Sequence, residues 1–148
     1  MEYRLRQATD EDYEFLYNLN VTTLRDAVEA MWGWDEAFQR RHFDSHFDPA
    51  SRQIIVLAGR DVGVLVVEER PGETFLALIE VAPAYQNQGL GTRVVRDVLA
   101  RAHGRGRPVT LTVLKTNPRA HRLYERLGFA VYEEREERYL MRAAPPEQ

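Results

Sequence analysis

Three strand-like segments in close succession constrain this chain most. They occupy residues 54–58, 62–69 and 74–81, and turns at Gly59 and at Pro71-Gly72 separate them. Short segments rich in β-branched residues and bounded by glycine or proline are typical of strands joined by tight turns. The sequence therefore predicts three consecutive strands in the middle of the chain.

Helical spacing of apolar residues occurs on both sides of these strands. From Leu90 to His103 apolar side chains recur every three or four residues, which predicts an amphipathic helix. Residues 118–127 begin with proline and end just before Gly128, as helices commonly do. Upstream, Thr9 is a candidate N-cap for a first helix, and residues 36–47 have the spacing of a second helix.

Further strands are expected at residues 3–7, 109–114, 129–134 and 137–141. The resulting element order is β-α-α-β-β-β-α-β-α-β-β. It predicts an α/β domain of the α+β type, with a mixed, mostly antiparallel, twisted sheet flanked by helices. The 148 residues have the usual size of one domain. We expect that domain over residues 1–142 and a frayed tail over residues 143–148.

Composition excludes several classes of protein. The absence of cysteine excludes a disulfide scaffold, a thiolate nucleophile and a Cys-ligated metal centre. No run approaches the 18 apolar residues of a membrane span, and the N-terminus lacks an apolar signal core. A net charge of −3 argues against a dedicated nucleic-acid binder. We therefore expect a cytoplasmic protein with neither a membrane nor a nucleic acid as its partner.

Charge is distributed unevenly along the chain. Residues 1–80 carry 16 acidic and 8 basic side chains, whereas residues 81–148 carry 7 acidic and 12 basic ones. An acidic first half and a basic second half suit a cationic substrate and an anionic cofactor, respectively. Ordinary solvated helix faces are the alternative explanation.

The segment from Val81 to Thr92 has the features of an anion site. A strand ends, Gly89 and Gly91 permit close approach to the backbone, and a helix begins at once. A Walker A loop is excluded because no Gly-Lys-Ser/Thr follows, and Val94 stands where a dinucleotide fingerprint has its third glycine.

Two sequence signatures resemble those of the GNAT N-acetyltransferase superfamily. The first is Gln86-x-x-Gly89-x-Gly91, preceded by Val81-x-Pro83, and it is similar to the family's acyl-coenzyme A site. The second begins at Asn117 and ends in Leu123-Tyr124-x-x-Leu127-Gly128-Phe129. The resemblance covers residues 54–141. It implies transfer of acetyl from acetyl-CoA to a primary amine, by direct attack in a ternary complex.

The same resemblance implies the contacts of the coenzyme. Backbone amides from Asn87 to Thr92 would hold its pyrophosphate, and the main chain of Val81 would pair with its pantetheine arm. Asn117 would bond the pantetheine or the helix that follows. The expected coenzyme-binding residues are Val81, Gln86, Asn87, Gln88, Gly89, Leu90, Gly91, Thr92, Asn117 and Tyr124.

Tyr124 and Glu80 are the catalytic residues that the resemblance implies. Tyr124 matches the family's general acid, which protonates the departing thiolate; packing under the cofactor is the alternative role. Glu80 is the only ionisable side chain in the run 75–81, and it would accept the amine proton directly or through water. Family members often place an acid or a histidine earlier on this strand, where Phe75 and Ala77 stand here. A structural or substrate-orienting role for Glu80 is therefore the alternative.

The acceptor pocket is expected from the first third of the chain. Trp32, Trp34 and Asp35 lie around a glycine between two helices, where they would wall the pocket or meet a cationic amine. Plugging the edge of the core is the alternative for the tryptophans. His42 and His46 lack a third ligand, so no metal is expected.

The sequence leaves the acceptor open. A small or peptidic amine is the favoured acceptor. An enzyme that acetylates protein N-termini or lysine side chains is an alternative within the same class of acetyltransferases. The alternative from another class of protein is a sensor or interaction module that binds coenzyme A without turnover. The last strands of this family often pair between subunits, so a homodimer is also an expectation.

Overall fold

The computed structural model describes residues 2–147. Its strands are β1 (Tyr3–Gln7), β2 (Gln53–Leu57), β3 (Arg60–Arg70), β4 (Glu73–Val81), β5 (Val109–Leu114), β6 (Ala130–Glu134) and β7 (Arg138–Ala143). Its α-helices are α1 (Tyr13–Trp32), α2 (Glu36–His46), α3 (Leu90–Gly104) and α4 (Pro118–Arg126). Short 3₁₀ turns cover Asp10–Asp12, Pro49–Ser51 and Pro83–Tyr85. Among residues 2–147, no helix has both the length and the apolar character that crossing a bilayer requires.

The strands form one seven-stranded sheet in the order β1-β2-β3-β4-β5-β7-β6. The pairs β1–β2, β2–β3, β5–β7 and β6–β7 are antiparallel. β4 and β5 are parallel, and Thr74 pairs with Val109 and Phe75 with Thr110. This arrangement confirms the predicted element order and the mixed, mostly antiparallel sheet.

The chain forms two compact units. The first contains the residues up to Val66 together with Leu78–Gln88. Its core packs α1 and α2 side chains such as Tyr17 and Phe43 against the strand residues Ile54 and Val64. Because α1 presents Leu16, Tyr17 and Leu19 to this core, tertiary packing holds the N-terminal half of the helix in place.

The second unit contains Val67–Ala77 and the residues from Gly89 onward. Its helix α3 is amphipathic, and the buried face consists of Leu90, Val94, Val95, Val98, Leu99 and Ala102. The periodicity of the sequence predicts this same face. Val109 of β5 and Met141 of β7 are fully buried in this unit.

Helix α1 continues well past the buried residues of its N-terminal half. It extends to Trp32, and its C-cap is Gly33, whose φ is 80°. Beyond Asn20 only Ala27 of this helix is buried. Val21, Leu24, Val28 and Met31 keep the helical spacing as a partly buried stripe, so the length of α1 could have been predicted from the sequence.

Strand β7 extends beyond residue 142. Ala143 is buried, and its carbonyl oxygen accepts a hydrogen bond of 3.0 Å from Nε2 of His103. The first residue of the predicted frayed tail therefore lies in the sheet. Gln148, the last residue of that tail, lies outside the described residues.

Candidate active site

Glu80 is a buried carboxyl near the end of β4 in the first unit. Only 4% of its surface is exposed, and Oε2 accepts a hydrogen bond of 3.0 Å from Nδ2 of Asn20 on α1. Thr23, one turn further along α1, lies beside it, with its hydroxyl donating to the Leu19 carbonyl at 2.9 Å. A carboxyl so deeply buried is costly unless it is hydrogen-bonded or protonated.

Burial raises the pKa of Glu80 from its ordinary 4.5 to about 7. The nearby Thr23 hydroxyl, the Asn20 amide and the positive charge of Arg52 oppose this rise but do not cancel it. A carboxyl with a pKa near 7 is ionised in about half of the molecules at neutral pH, and it is also basic enough to remove a proton from a substrate. Perturbed groups of this kind are concentrated at functional sites.

Because Gly63 on β3 has no side chain, the backbone of Glu80 on β4 can lie directly against it. A Cβ atom on Gly63 would lie 2.4 Å from the carbonyl oxygen of Glu80 and 3.1 Å from Cδ1 of Ile55. The neighbouring carbonyl of Val62 accepts a hydrogen bond from the amide of Ala82 at 2.8 Å. Sequence reasoning missed Gly63, although a glycine inside a strand pattern signals a close backbone approach.

Replacing Gly63 with alanine is expected to lower the free energy of unfolding by about 1–3 kcal/mol, because overpacking forces the backbone to move. Thermal unfolding measures the loss. Gly104→Ala is the matched control, since a Cβ there meets nothing within 4 Å and its φ is not positive. Equal stability of the two variants would show that β3 and β4 can separate at Glu80 without cost.

The loop after β4 is held by its own side-chain amides. Nε2 of Gln86 donates to the carbonyl of Val81 at 2.8 Å, and Nε2 of Gln88 donates to the carbonyl of Ala84 at 3.1 Å. Asn87 has a φ of 62°, a left-handed conformation that asparagine tolerates better than most residues. The two glutamines therefore shape this loop, and the Val81 carbonyl already has a partner.

Helix α3 begins abruptly in the second unit. Its N-cap, Gly89, has a φ of 84°, and a Cβ there would meet nothing within 4 Å. Leu90 is buried and anchors the first turn, whereas Gly91 and Thr92 are only partly buried. The first turn contains no acidic residue. The amides at the start of a helix lack partners within the helix, so this end of α3 suits an anion.

Helix α4 carries the second signature. Oδ1 of Asn117 accepts a hydrogen bond of 3.3 Å from the amide of Ala120 and so caps the helix. Tyr124 packs edge-on against Phe129 with ring centroids 5.6 Å apart. The Tyr124 side chain is partly buried, and the loss of solvation raises the pKa of its phenol to about 12. Within residues 2–147 its hydroxyl has no hydrogen-bond partner, so it remains able to donate.

Residues 8–129 match the family described as acetyltransferase (GNAT). The chain belongs to the GNAT acetyltransferase family. A 5-NmdU N-acetyltransferase of Pseudomonas phage PaMx11 is 40% identical to this GNAT chain over 62 residues. That match covers 42% of this chain and 43% of the relative, which is less than half of either.

Solved structures of GNAT proteins share the fold. A PaiA N-acetyltransferase of Thermoplasma acidophilum in complex with coenzyme A superposes with a TM-score of 0.79 at 13% identity, over 97% of this chain and 99% of that one. The ribosomal-protein-S18-alanine N-acetyltransferase of Escherichia coli gives 0.69 at 19% identity, over 99% and 96%. At these identities the likeness establishes the GNAT fold and leaves the acceptor open.

Trp32, Trp34 and Asp35, the candidate acceptor residues of this GNAT chain, differ from one another in exposure and in hydrogen-bond partners. Trp32 is 51% exposed at the end of α1. The indole N–H of Trp34 donates to Oε2 of Glu36 at 2.9 Å, and the hydroxyl of Tyr17 donates to Oε1 of the same carboxylate at 2.8 Å. Asp35 is the N-cap of α2, where it accepts from the amide of Phe38 at 3.0 Å. Sequence reasoning missed Glu36, whose partners lie on α1 and on the loop before α2.

His42 and His46 are four residues apart on α2 and therefore lie on the same face of the helix. The rings of His42 and His46 are 4.4 Å apart, and Nδ1 of His46 is hydrogen-bonded to the carbonyl of His42 at 2.9 Å. Across residues 2–147, no three histidine or carboxylate side chains are grouped as the ligands of a metal ion are.

Proposed function

We propose that this GNAT chain is an N-acetyltransferase that moves acetyl from acetyl-CoA to a primary amine by direct attack in a ternary complex. Membership of the family supports the reaction class. The observation that carries the proposal is Glu80, a buried carboxyl whose pKa of about 7 suits a general base at neutral pH. Placing an ionisable group where burial penalises its charge supports this role over a structural one.

The reaction divides between two side chains. Glu80 accepts a proton from the ammonium form of the acceptor, directly or through water, and the neutral amine then attacks the thioester carbonyl. The carbon–nitrogen bond forms, the carbon–sulfur bond breaks, and the electron pair leaves on sulfur. Tyr124 donates a hydrogen bond to that sulfur, and the second proton, which the acylated nitrogen loses, passes through water to the thiolate, so that the products are the amide and free coenzyme A. A pKa of about 12 keeps this phenol protonated throughout the working pH range.

The coenzyme is proposed to contact both signatures. The free amides at the start of α3 would bind its pyrophosphate, together with the loop residues Asn87 and Gln88. The main chain of Val81 and the side-chain amide of Asn117 would meet the pantetheine arm. Gln86 would act on the coenzyme through the shape of the loop, since its own amide is bonded to Val81.

Gly89→Val is expected to weaken acetyl-CoA binding by at least tenfold, because a branched side chain at this positive φ distorts the start of α3. Calorimetry measures the loss. Gly72→Val is the matched control: Gly72 has a similar φ of 78° and open space at its Cβ, but it lies in the β3–β4 turn. Both variants lose stability through the same strain. Equal coenzyme affinity in the two would contradict the phosphate-binding role.

A small or peptidic amine is proposed as the acceptor, and the acidic first half of the chain supports a cationic one. The experiment is release of free thiol from acetyl-CoA in the presence of polyamines, amino acids, 5-NmdU and peptides that begin with alanine. 5-NmdU is included because the phage relative is named as its acetyltransferase, and alanine peptides are included because the Escherichia coli structural neighbour is named for an alanine acceptor. Turnover with any of them confirms the enzyme. Coenzyme binding without turnover on the whole panel favours a protein acceptor or the sensor function.

We further propose a cytoplasmic protein that forms a homodimer through its last strands and binds neither nucleic acid nor membrane. The net charge of −3 supports the proposal that the protein binds neither nucleic acid nor membrane. β6 lies at the end of the sheet with all five residues exposed, including Val131 and Tyr132, which supports pairing between copies. Sedimentation of the purified protein measures the oligomeric state.

A further inference from the structure

One hydrogen bond joins the candidate base to a helix distant in sequence. Nδ2 of Asn20 on α1 donates to Oε2 of Glu80 on β4 at 3.0 Å, across 60 positions of the chain. Asn20 is partly buried and Glu80 is fully buried. A hydrogen bond from a neutral donor to a buried carboxylate stabilises the charged form and fixes the plane of the group.

The groups that face Glu80 come from three elements. Asn20 and Thr23 approach from α1, Arg52 acts through its charge from the residue before β2, and the backbone at Gly63 lies against the Glu80 carbonyl from β3. The Thr23 hydroxyl favours the ionised form of Glu80 and also donates to the Leu19 carbonyl at 2.9 Å. In the described part of the chain, Asn20 is the side chain whose N–H donates to the carboxylate.

Arg52 affects Glu80 through its charge and not through a hydrogen bond. Its Nη1 donates to the carbonyls of His46 at 3.4 Å and of Asp48 at 3.3 Å, and its guanidinium lies 5.7 Å from the ring centroid of Phe43. It makes no ion pair with Glu80. Arg52 therefore favours the ionised carboxylate but leaves its orientation to Asn20.

We propose that Asn20 is a positioning residue for acetyl transfer: by donating to Oε2 of Glu80 it favours the ionised carboxylate and leaves Oε1 to receive the proton of the acceptor amine. The inference rests on the proposed function of Glu80 as the base. It adds a residue of α1, a helix that contains neither sequence signature, to the catalytic machinery.

Loss of this donor makes the carboxylate harder to ionise. Asn20→Ala is expected to raise the pKa of Glu80 by about one unit, since a hydrogen bond to a charged group is lost. At pH 7 the ionised fraction then falls from about a half to about a tenth, so kcat/KM falls about fivefold. Raising the pH to 9 ionises Glu80 in both proteins and restores the rate to within about twofold.

Asn20→Asp has the same shape but places a second carboxylate against Glu80. Two carboxylates in one site raise the pKa of one of them strongly. The rate profile of this variant is therefore expected to move further to alkaline pH than that of Asn20→Ala. Asn18→Ala is the matched control, because Asn18 lies on the same helix with its side chain exposed. It should leave the profile unchanged.

Two measurements test the inference. The first is the carbon-13 titration of the Glu80 carboxyl in the ligand-free protein, with the signal assigned by its loss in Glu80→Gln. The second is the pH profile of kcat/KM with a reactive amine from the panel. If the role of Asn20 were merely structural, Asn20→Ala would lower the rate equally at all pH values. If Asn20 positions Glu80, the lost rate returns at alkaline pH, where Glu80 is ionised in both proteins.

The outcomes separate the inference from the proposed function. Parallel alkaline shifts of the titration and of the rate profile, absent in Asn18→Ala, support it. An unchanged Glu80 titration in Asn20→Ala overturns it, whatever happens to the rate. A shifted titration with an unmoved rate profile overturns Glu80 as the base, and Asn20 then positions a residue without a catalytic role.

Discussion

Glu80→Gln is expected to lower kcat by about 10²–10³-fold, within the range that general base catalysis contributes. Glutamine keeps the shape of the side chain, and its carbonyl oxygen can still accept the hydrogen bond from Asn20. It cannot take a proton from the amine. Steady-state release of thiol measures the effect. Glu68→Gln is the matched control, because Glu68 is an exposed strand residue paired with Arg70.

The same variant is expected to be more stable than the parent protein in alkali. The pKa of Glu80 is about 7 in the folded protein and about 4.5 in the unfolded chain, so the folded state binds this proton more tightly. The resulting stabilisation is complete below pH 4.5 and is lost as the pH rises through 7. At pH 8 the ionised carboxyl costs about 3 kcal/mol, which glutamine removes.

Activity and stability therefore change in opposite directions. A variant that loses turnover while its unfolding temperature rises at pH 8 has lost a chemical group and not its fold. The parent enzyme should show an acid limb in its pH profile with a midpoint near 7, and Glu80→Gln should lack that limb. Undiminished turnover in Glu80→Gln would leave water chains as the route for the proton.

The parts of the fold that the sequence predicts are those that local spacing determines. The buried face of α3 follows from residues three or four positions apart, and the turn at Pro71-Gly72 fixes the break between β3 and β4. The two signatures lie on continuous stretches, so the resemblance could place Glu80 and Tyr124 without any long-range information.

The features that the sequence does not predict join residues distant in the chain. Asn20 and Gly63 meet Glu80 only after α1 and β3 have packed against β4. The acceptor candidates are a different case, because their contacts are local. Asp35 caps α2 and the indole of Trp34 bonds Glu36. The predicted start of α2 at residue 36 is confirmed, so an aspartate at position 35 already indicates an N-cap.

Tyr124→Phe is expected to lower kcat by about 10–100-fold with little change in acetyl-CoA affinity. Phenylalanine keeps the ring and its edge-on contact with Phe129, so only the hydroxyl is lost. The departing thiolate then lacks a hydrogen bond to a developing charge, which is worth about 1.5–3 kcal/mol. Thiol release and calorimetry on the same protein separate turnover from binding, and Tyr132→Phe, at an exposed tyrosine of β6, is the control.

The raised pKa of Tyr124 explains why the expected loss is moderate. A phenol with a pKa of about 12 is a weaker acid than an ordinary thiol, whose pKa is about 8.5, so complete transfer of its proton to sulfur is uphill. The benefit must come from a hydrogen bond that strengthens as charge develops, which lowers kcat and kcat/KM equally when it is removed. If Tyr124 only packed under the coenzyme, Tyr124→Phe would match Tyr132→Phe in both constants. Equal losses of kcat and kcat/KM, with unchanged acetyl-CoA affinity, would identify the hydroxyl as the group that acts on the leaving sulfur.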